Sequence, residues 1–361
     1  MVRIAHISDS HLGSSLFQLT ERREDARKCL KKSIEMAMRH SPDLLVHTGD
    51  LYHTPLPQND DQIFVIELLK DLKDKIPVII LDGNHDIPYG YRYNFSPLRS
   101  LETMELIKST GTGPYNTITE SFDGKEVELH LVSWTGHSQF DHFLQESIKT
   151  DGVISLFFAH DIPVEKENLP VHHNYYGCGH KHNFWLDEEF DIGRPGSTCV
   201  VNWKREMTGK KKLIIIDIDK SGQNEYTTEN LNDVREFKFI PALNITGMGT
   251  DEANQTVTNS LSRLAPKKKK PIIIVEVNGL IDAETERGIE RKELIEFGEK
   301  KLDPLFLHIE PNWECYGPRD IKLTEPLNVE KSVQEYLEQT KDKMAQKVLD
   351  LLPKLIGSEV A

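Results

Sequence analysis

Residues 43–53 read DLLVHTGDLYH and residues 77–86 read PVIILDGNHD. In each, a short apolar run breaks at a glycine and hands over to side chains that bind metals: Asp50 and His53 in the first, Asn84, His85 and Asp86 in the second. The same grammar recurs three times. Arg3–Ile7 runs into Asp9 and His11, the run SLFFAH closes on His160, and NYYGCGHKH closes on His180 and His182. Short β-branched runs separated by helical patterns at Glu21–Arg39 and Asn59–Asp74 predict a layered α/β fold. In such sheets ligands collect at the carboxyl ends of the strands, so the five blocks are expected to meet on one edge. Gly49, Gly83 and Gly179 are read as residues that let the chain turn sharply out of a strand.

The residue types fit a two-cation site. Two cations about 3.5–4 Å apart share a bridging anion and each needs further ligands. Asp9, Asp50, Asn84 and four or five imidazoles offer mixed oxygen and nitrogen coordination, which suits manganese, iron or zinc better than calcium. Asp86 and Asp161 adjoin ligand positions and are candidates to hold an imidazole in one tautomer. Cys178 reads as a small buried hydrophobe, and His6, His47, His137, His172 and His173 as structural.

Farther along, strands are expected at Val127–Ser133, Val153–Ala159, Tyr175–Gly177, Thr198–Asn202 and Leu213–Ile218, forming a second, more antiparallel sheet packed on the first. After the polar stretch Ser221–Asp233 the composition changes. A smaller α+β unit follows, with strands at Phe237–Ile240, Ile272–Val277 and Leu305–Ile309 and helices at Glu252–Leu264 and Glu290–Lys300. Val329–Ile356 reads as a helical tail with Leu337, Met344, Val348 and Leu351 along one stripe. The expected division is residues 1–235, 236–325 and 326–361.

The series DSH, GDLYH, GNHD, AHD and GHKH resembles the calcineurin-like metallophosphoesterase superfamily, over roughly residues 1–218. His53 three residues after the GD aspartate, the PGS at Pro195–Ser197, and a cap and tail after the catalytic unit resemble its double-strand-break repair nucleases, Mre-eleven and SbcD. That resemblance implies a two-sheet sandwich flanked by helices, with a smaller α+β cap domain and a C-terminal helical tail. It implies two manganese ions (iron, zinc and magnesium being alternatives), one on Asp9, His11 and His182, the other on Asn84, His160 and His180, with Asp50 between them. His85 would serve the leaving oxygen and His53 would steer the strand.

The implied activity is 3′–5′ exonuclease and single-strand endonuclease cleavage at DNA double-strand breaks. The implied assembly is a homodimer through helices at 63–72 and 98–107, with a Rad-fifty-like ATPase bound by the tail. The alternatives are a small-molecule phosphodiesterase or phosphatase, and a scaffold subunit without metals.

Composition bears on the substrate. With 58 acidic against 44 basic residues the net charge is −14, which argues against a partner held by bulk electrostatics. Local basic elements remain: Lys204 and Arg205, Lys210–Lys212, and Lys267, Lys268 and their neighbours up to Lys270. They are the candidate DNA contacts. The four scattered cysteines, the start MVRIAHIS without a charged-then-apolar leader, and the lack of a ~20-residue apolar run lead us to expect a cytoplasmic protein, nucleoid-associated if prokaryotic.

Overall fold

In the computed structural model, residues 1–316 are described, except 89, 91, 149, 151, 171, 207–209 and 232–234. The tail expected at 326–361 therefore lies outside the described residues. The first elements are β1 (Val2–Ile7), α1 (Thr20–Met38), β2 (Leu44–His47), α2 (Asn59–Lys70), β3 (Val78–Ile80) and α3 (Leu98–Thr103). Then come β4 (Tyr115–Phe122), β5 (Lys125–Val132), α4 (His137–Glu146), β6 (Ile154–Ala159), β7 (Tyr175–Gly177), β8 (Trp185–Asp187) and β9 (Ile192–Arg194). The chain continues through α5 (Trp203–Glu206), β10 (Lys212–Ile218), β11 (Asn224–Asn230), β12 (Phe237–Asn244), α6 (Thr250–Ser262), β13 (Ile272–Asp282), α7 (Ala283–Gly288), α8 (Arg291–Leu302) and β14 (Phe306–Tyr316).

Two sheets face each other. One runs β11-β10-β1-β2-β3, parallel from β1 to β3 and antiparallel at β10 and β11. The other runs β4-β5-β6-β7-β9-β8. Both faces of β1, β2 and β10 are buried, so they read as near-continuous apolar runs. Ile4, Val46 and Ile214 point between the sheets, against Leu129, Leu156 and Phe158. Ala5, Leu45 and Ile215 point the other way and pack with Leu30, Val65 and Leu69 of α1 and α2. Each such side chain contributes about 1.5–3 kcal/mol on burial. On the far side of the second sheet, Phe157 and Tyr176 pack with Phe140 and Leu144 of α4. The result is a two-sheet α/β sandwich with helices outside.

Several expectations need correction. The second sheet is mostly parallel: β5, β6, β7 and β9 run the same way, and only β4 and β8 are antiparallel to their neighbours. Thr198–Asn202 is not a strand. Cys199 and Val201 fill one core and Val200 another, so burial in two directions replaces a ladder. The polar stretch Ser221–Asp233 holds β11, whose half-exposed edge position explains its composition. The helix expected over 98–107 ends at Thr103. Of its apolar residues, Leu98, Leu101, Leu106 and Ile107 are core; Met104 stays 42% exposed, as Ile63 on α2 stays 55% exposed.

The chain forms two compact units. The first takes Met1–Phe239, Pro266–Ile274 and Asp303–Phe306; the second takes Ile240–Ala265, Val275–Leu302 and, of the described residues, those from Leu307 on. Within the second, α6 packs on α8, where Gly298 lets Leu261 and Leu307 close in. No helix among the described residues is long and apolar enough to cross a membrane.

His6 and His47 are completely or almost completely buried behind the strand ends. His6 is held between the Tyr175 and Thr48 hydroxyls, each at 3.0 Å. His47 takes the Gly49 N–H on Nδ1, which leaves its Nε2–H to donate to Ser10 Oγ at 2.9 Å. Burial holds both imidazoles neutral, down to about 3, with the neighbouring His47 also acting against a charge on His6. As the folded values lie below the ~6.5 of an unfolded histidine, the unfolded chain protonates first. The stabilisation is complete above pH ~6.5 and is lost progressively as the pH falls toward 3. By pH ~5 the loss should reach roughly 2 kcal/mol per histidine. Thermal melts at pH ~7.5 and ~5 test this; a His6→Gln chain should show the shallower acid dependence.

Candidate metal centre

The carboxyl ends of β1, β2, β3, β6 and β7 converge on one cavity of about 420 Å³ that includes His11, Asp50, His53, Asn84, His85 and His180 in its lining. The loops that deliver these side chains are bent by unusual backbone. Asp9 (φ 50°), His11 (φ 44°), Asp50 (φ 54°) and His180 (φ 64°) all adopt left-handed conformations that cost a non-glycine residue free energy. Backbone hydrogen bonds hold them there: Asp9 N–H to the Gly49 carbonyl at 3.0 Å and His11 N–H to that of Asp50 at 2.9 Å.

Asp50 sits at the centre. Its Oδ1 accepts the His85 N–H at 2.8 Å, and its Oδ2 lies 3.4 Å from His11 Nε2 and 3.6 Å from His160 Nε2. On one side, His11 Nε2 and His182 Nε2 face each other at 3.1 Å, grouped with Asp9. On the other, Asn84 Oδ1 lies 3.1 Å from both His160 Nε2 and His180 Nδ1. With ligand bonds of about 2.0–2.2 Å, adjacent ligands of one cation stand roughly 3–3.5 Å apart. The observed separations fit that spacing.

The electrostatics point the same way. Asp9 is fully buried, and its Oδ2 meets no hydrogen-bond partner at bonding geometry among the described residues. Burial and the neighbouring Asp50 push the Asp9 carboxyl upward. Burial pushes at Asp50 too, but the imidazoles of His160, His11 and His85 hold it down. A buried carboxylate oxygen without a donor is costly unless a cation satisfies it. The residues present therefore fit divalent cations.

The glycines act differently from expectation at two positions. Gly49 does turn with φ +102°. Gly83 and Gly179 are needed for close approach instead: a Cβ on Gly83 would fall 2.1 Å from Asp50 Oδ1 and 2.3 Å from Asp50 N, and one on Gly179 2.2 Å from Ser8 Oγ. Gly83→Ala should lower stability by about 1–3 kcal/mol, as overpacking does, and displace Asp50. A melting curve together with metal analysis of the purified variant checks both effects.

Asp86 does not orient an imidazole. Its carboxylate accepts the N–H groups of Leu51, Tyr52 and Gly83, at 3.2, 2.9 and 2.9 Å, tying the Asp50 loop to the Asn84 loop. Asp161 lines a separate, neighbouring cavity. Sequence reasoning missed two supports. The Thr48 carbonyl accepts the His160 Nδ1–H at 2.7 Å and so leaves Nε2 for the centre. The Trp134 ring packs on His180 with centroids 4.9 Å apart. A backbone carbonyl has no signature in sequence, and Trp134 follows β5 with no motif around it.

Cys178 is buried, its thiol pushed up to about 12 by that burial. Lys204 lines the cavity, whereas only the backbone of Arg205 is described. Lys267 and Lys268 are exposed on a loop, Lys267 paired with Glu236 at 2.5 Å.

The family profile of the calcineurin-like phosphoesterases matches residues 2–198, the stretch that carries every one of these ligand positions. The chain belongs to the calcineurin-like phosphoesterase family. Within it, this phosphoesterase is 26% identical to DNA double-strand break repair protein Mre11 of Thermoplasma acidophilum across 78% of each chain. It is 26% identical to the Sulfurisphaera tokodaii protein of the same name, across 93% of this chain and 88% of that one. To the Saccharolobus solfataricus protein, again called Mre11, it is 36% identical over 61% of each chain.

Proposed function

We propose that this phosphoesterase is a metal-dependent DNA nuclease that processes double-strand-break ends, with manganese the favoured metal. The observation that supports it best is the position of Asp50 Oδ2 between His11 and His160, 3.4 Å and 3.6 Å from their Nε2 atoms. Asp9, His11 and His182 would hold one cation, Asn84, His160 and His180 the other, and Asp50 both. When bound, the pair supplies charge neutralisation for an in-line displacement at phosphorus.

The chain's own groups do the rest. The His85 Nδ1–H donates to the His53 carbonyl at 2.8 Å, so in the imidazolium form the Nε2–H is the proton left to pass to the departing sugar oxygen, leaving the ring neutral. His53 stacks on His85 at 5.2 Å and would steer the strand. Two divalent cations invert the local field of an acidic chain, which reconciles a charge of −14 with a polyanionic substrate. Lys204, Arg205, Lys267 and Lys268 are the proposed further phosphate contacts, the last two in the region 236–325 that we assign to DNA binding.

The proposal extends to a homodimer formed around the exposed Ile63 and Met104, and to a Rad-fifty-like ATPase held by residues 326–361. The relatives named Mre11 support this reading over the small-molecule alternative. The test is cleavage of 3′- and 5′-labelled duplex DNA with manganese, with and without chelator, alongside hydrolysis of bis-p-nitrophenyl phosphate. Hydrolysis of the small diester without DNA cleavage would favour the small-molecule phosphodiesterase. Neither activity, with no bound metal, would favour the scaffold.

A further inference from the structure

Beside the metal centre lies a second cavity, of about 610 Å³, lined in part by Asp161, Ile162, Val164, Lys181, Trp185 and Arg194. The segment His180–Lys181–His182 is the ridge between the two. His180 and His182 line the first cavity, and Lys181 lines the second. Asp161 follows the ligand position His160 directly, so two stretches of the second cavity's lining adjoin ligand positions.

Its two cations differ from a third in having spare capacity. Lys166 is pinned by Asp187 at 2.6 Å and lies over the Phe190 ring. Arg194 spends its Nε on the Asn183 carbonyl at 3.0 Å and lies over Trp185. Its terminal nitrogens, and Lys181 Nζ, take no acceptor among the described residues. Asp161, Glu165 and the exposed His137 share the lining. A slot with two carboxylates disfavours a bare, multiply charged anion. It suits a ligand with one diester charge and a flat, partly apolar body, and the volume lies within the usual range of ~300–1,000 Å³ for ligand sites.

We propose that this cavity receives a nucleotide of the substrate strand flanking the scissile phosphate, its phosphate on Lys181 and Arg194 and its base against Ile162, Val164 and Trp185. This rests on the nuclease reading and adds a subsite to it. A strand crossing the one-residue ridge at Lys181 passes from one cavity into the other.

The test compares wild type with Lys181→Gln/Arg194→Gln and with Lys181→Glu, a single charge reversal at an exposed position. Binding of a fluorescein-labelled single-stranded oligonucleotide is read by anisotropy in chelator, and kcat/KM is read with manganese on that oligonucleotide and on bis-p-nitrophenyl phosphate. Both variants should weaken oligonucleotide binding by about tenfold or more, and lower the ratio of oligonucleotide to small-diester kcat/KM by a similar factor. Unchanged binding, or an equal fall on both substrates, would overturn the subsite. If the wild type cleaves the small diester and no DNA, the nuclease reading has failed. The slot itself then stands if the dinucleoside monophosphate deoxyadenylyl-deoxyadenosine, which carries one diester charge, inhibits small-diester hydrolysis less in the variants, and falls if inhibition is unchanged.

Discussion

Replacing Asp50 with alanine is expected to abolish phosphodiester hydrolysis. The carboxylate occupies three relations at once: it accepts the His85 N–H, and one oxygen lies between the Nε2 atoms of His11 and His160. Among the described residues no other carboxylate holds that central place: Asp9 is grouped with His11 and His182 and its Oδ1 accepts the His180 N–H at 3.0 Å, and Asp86 is consumed by three backbone donors. Both cation positions should therefore be lost together. Metal analysis should find fewer than one ion per chain, and turnover should fall to the chelated background. Normal turnover with manganese would defeat the assignment of a shared ligand.

His85→Ser should separate chemistry from metal retention. The ring is held by its Nδ1–H on the His53 carbonyl and packs edge-on against His11 at 4.7 Å, but the hydrogen bond that His85 gives Asp50 comes from its backbone N–H and not from the ring. Serine keeps that N–H. A positioned acid contributes about 10²–10⁴-fold, so the rate should drop by that factor while metal content is unchanged. The loss should shrink on a diester with a good leaving group, which needs no proton; comparing p-nitrophenyl and alkyl esters measures it. Stoichiometric loss of metal would make His85 a ligand.

The parts of the fold that sequence made legible are those buried on both faces. β1, β2 and β10 lie between helices and a second sheet, so their apolar runs had no competing explanation. β4 and β11 escaped because edge strands carry polar residues on their exposed sides, which resemble loop composition. Cys199–Val201 misled for the opposite reason: apolar residues can fill two cores without pairing. At the site, motif spacing brought out the side chains gathered around the cavity, since strand ends impose a common edge. What spacing could not carry is approach distance. That Gly83 abuts Asp50, or that Asp86 binds backbone instead of a histidine, depends on two loops 35 residues apart meeting in space.

The four left-handed residues at the centre carry a thermodynamic meaning of their own. Each costs of order 1–3 kcal/mol in a protein whose net stability is only about 5–15 kcal/mol. Asp9, His11, Asp50 and His180 thus hold a sizeable share of the molecule's reserve as deformation, together with a carboxylate oxygen that has no hydrogen-bond partner among the described residues. The rigid sandwich behind them underwrites that debt before any ion arrives. Cations entering such a pocket meet donors already in place, so little of their binding energy goes into reshaping the chain and more of it remains as affinity. By linkage, the same ions become part of what keeps the protein folded: the metal centre is a keystone as much as a tool.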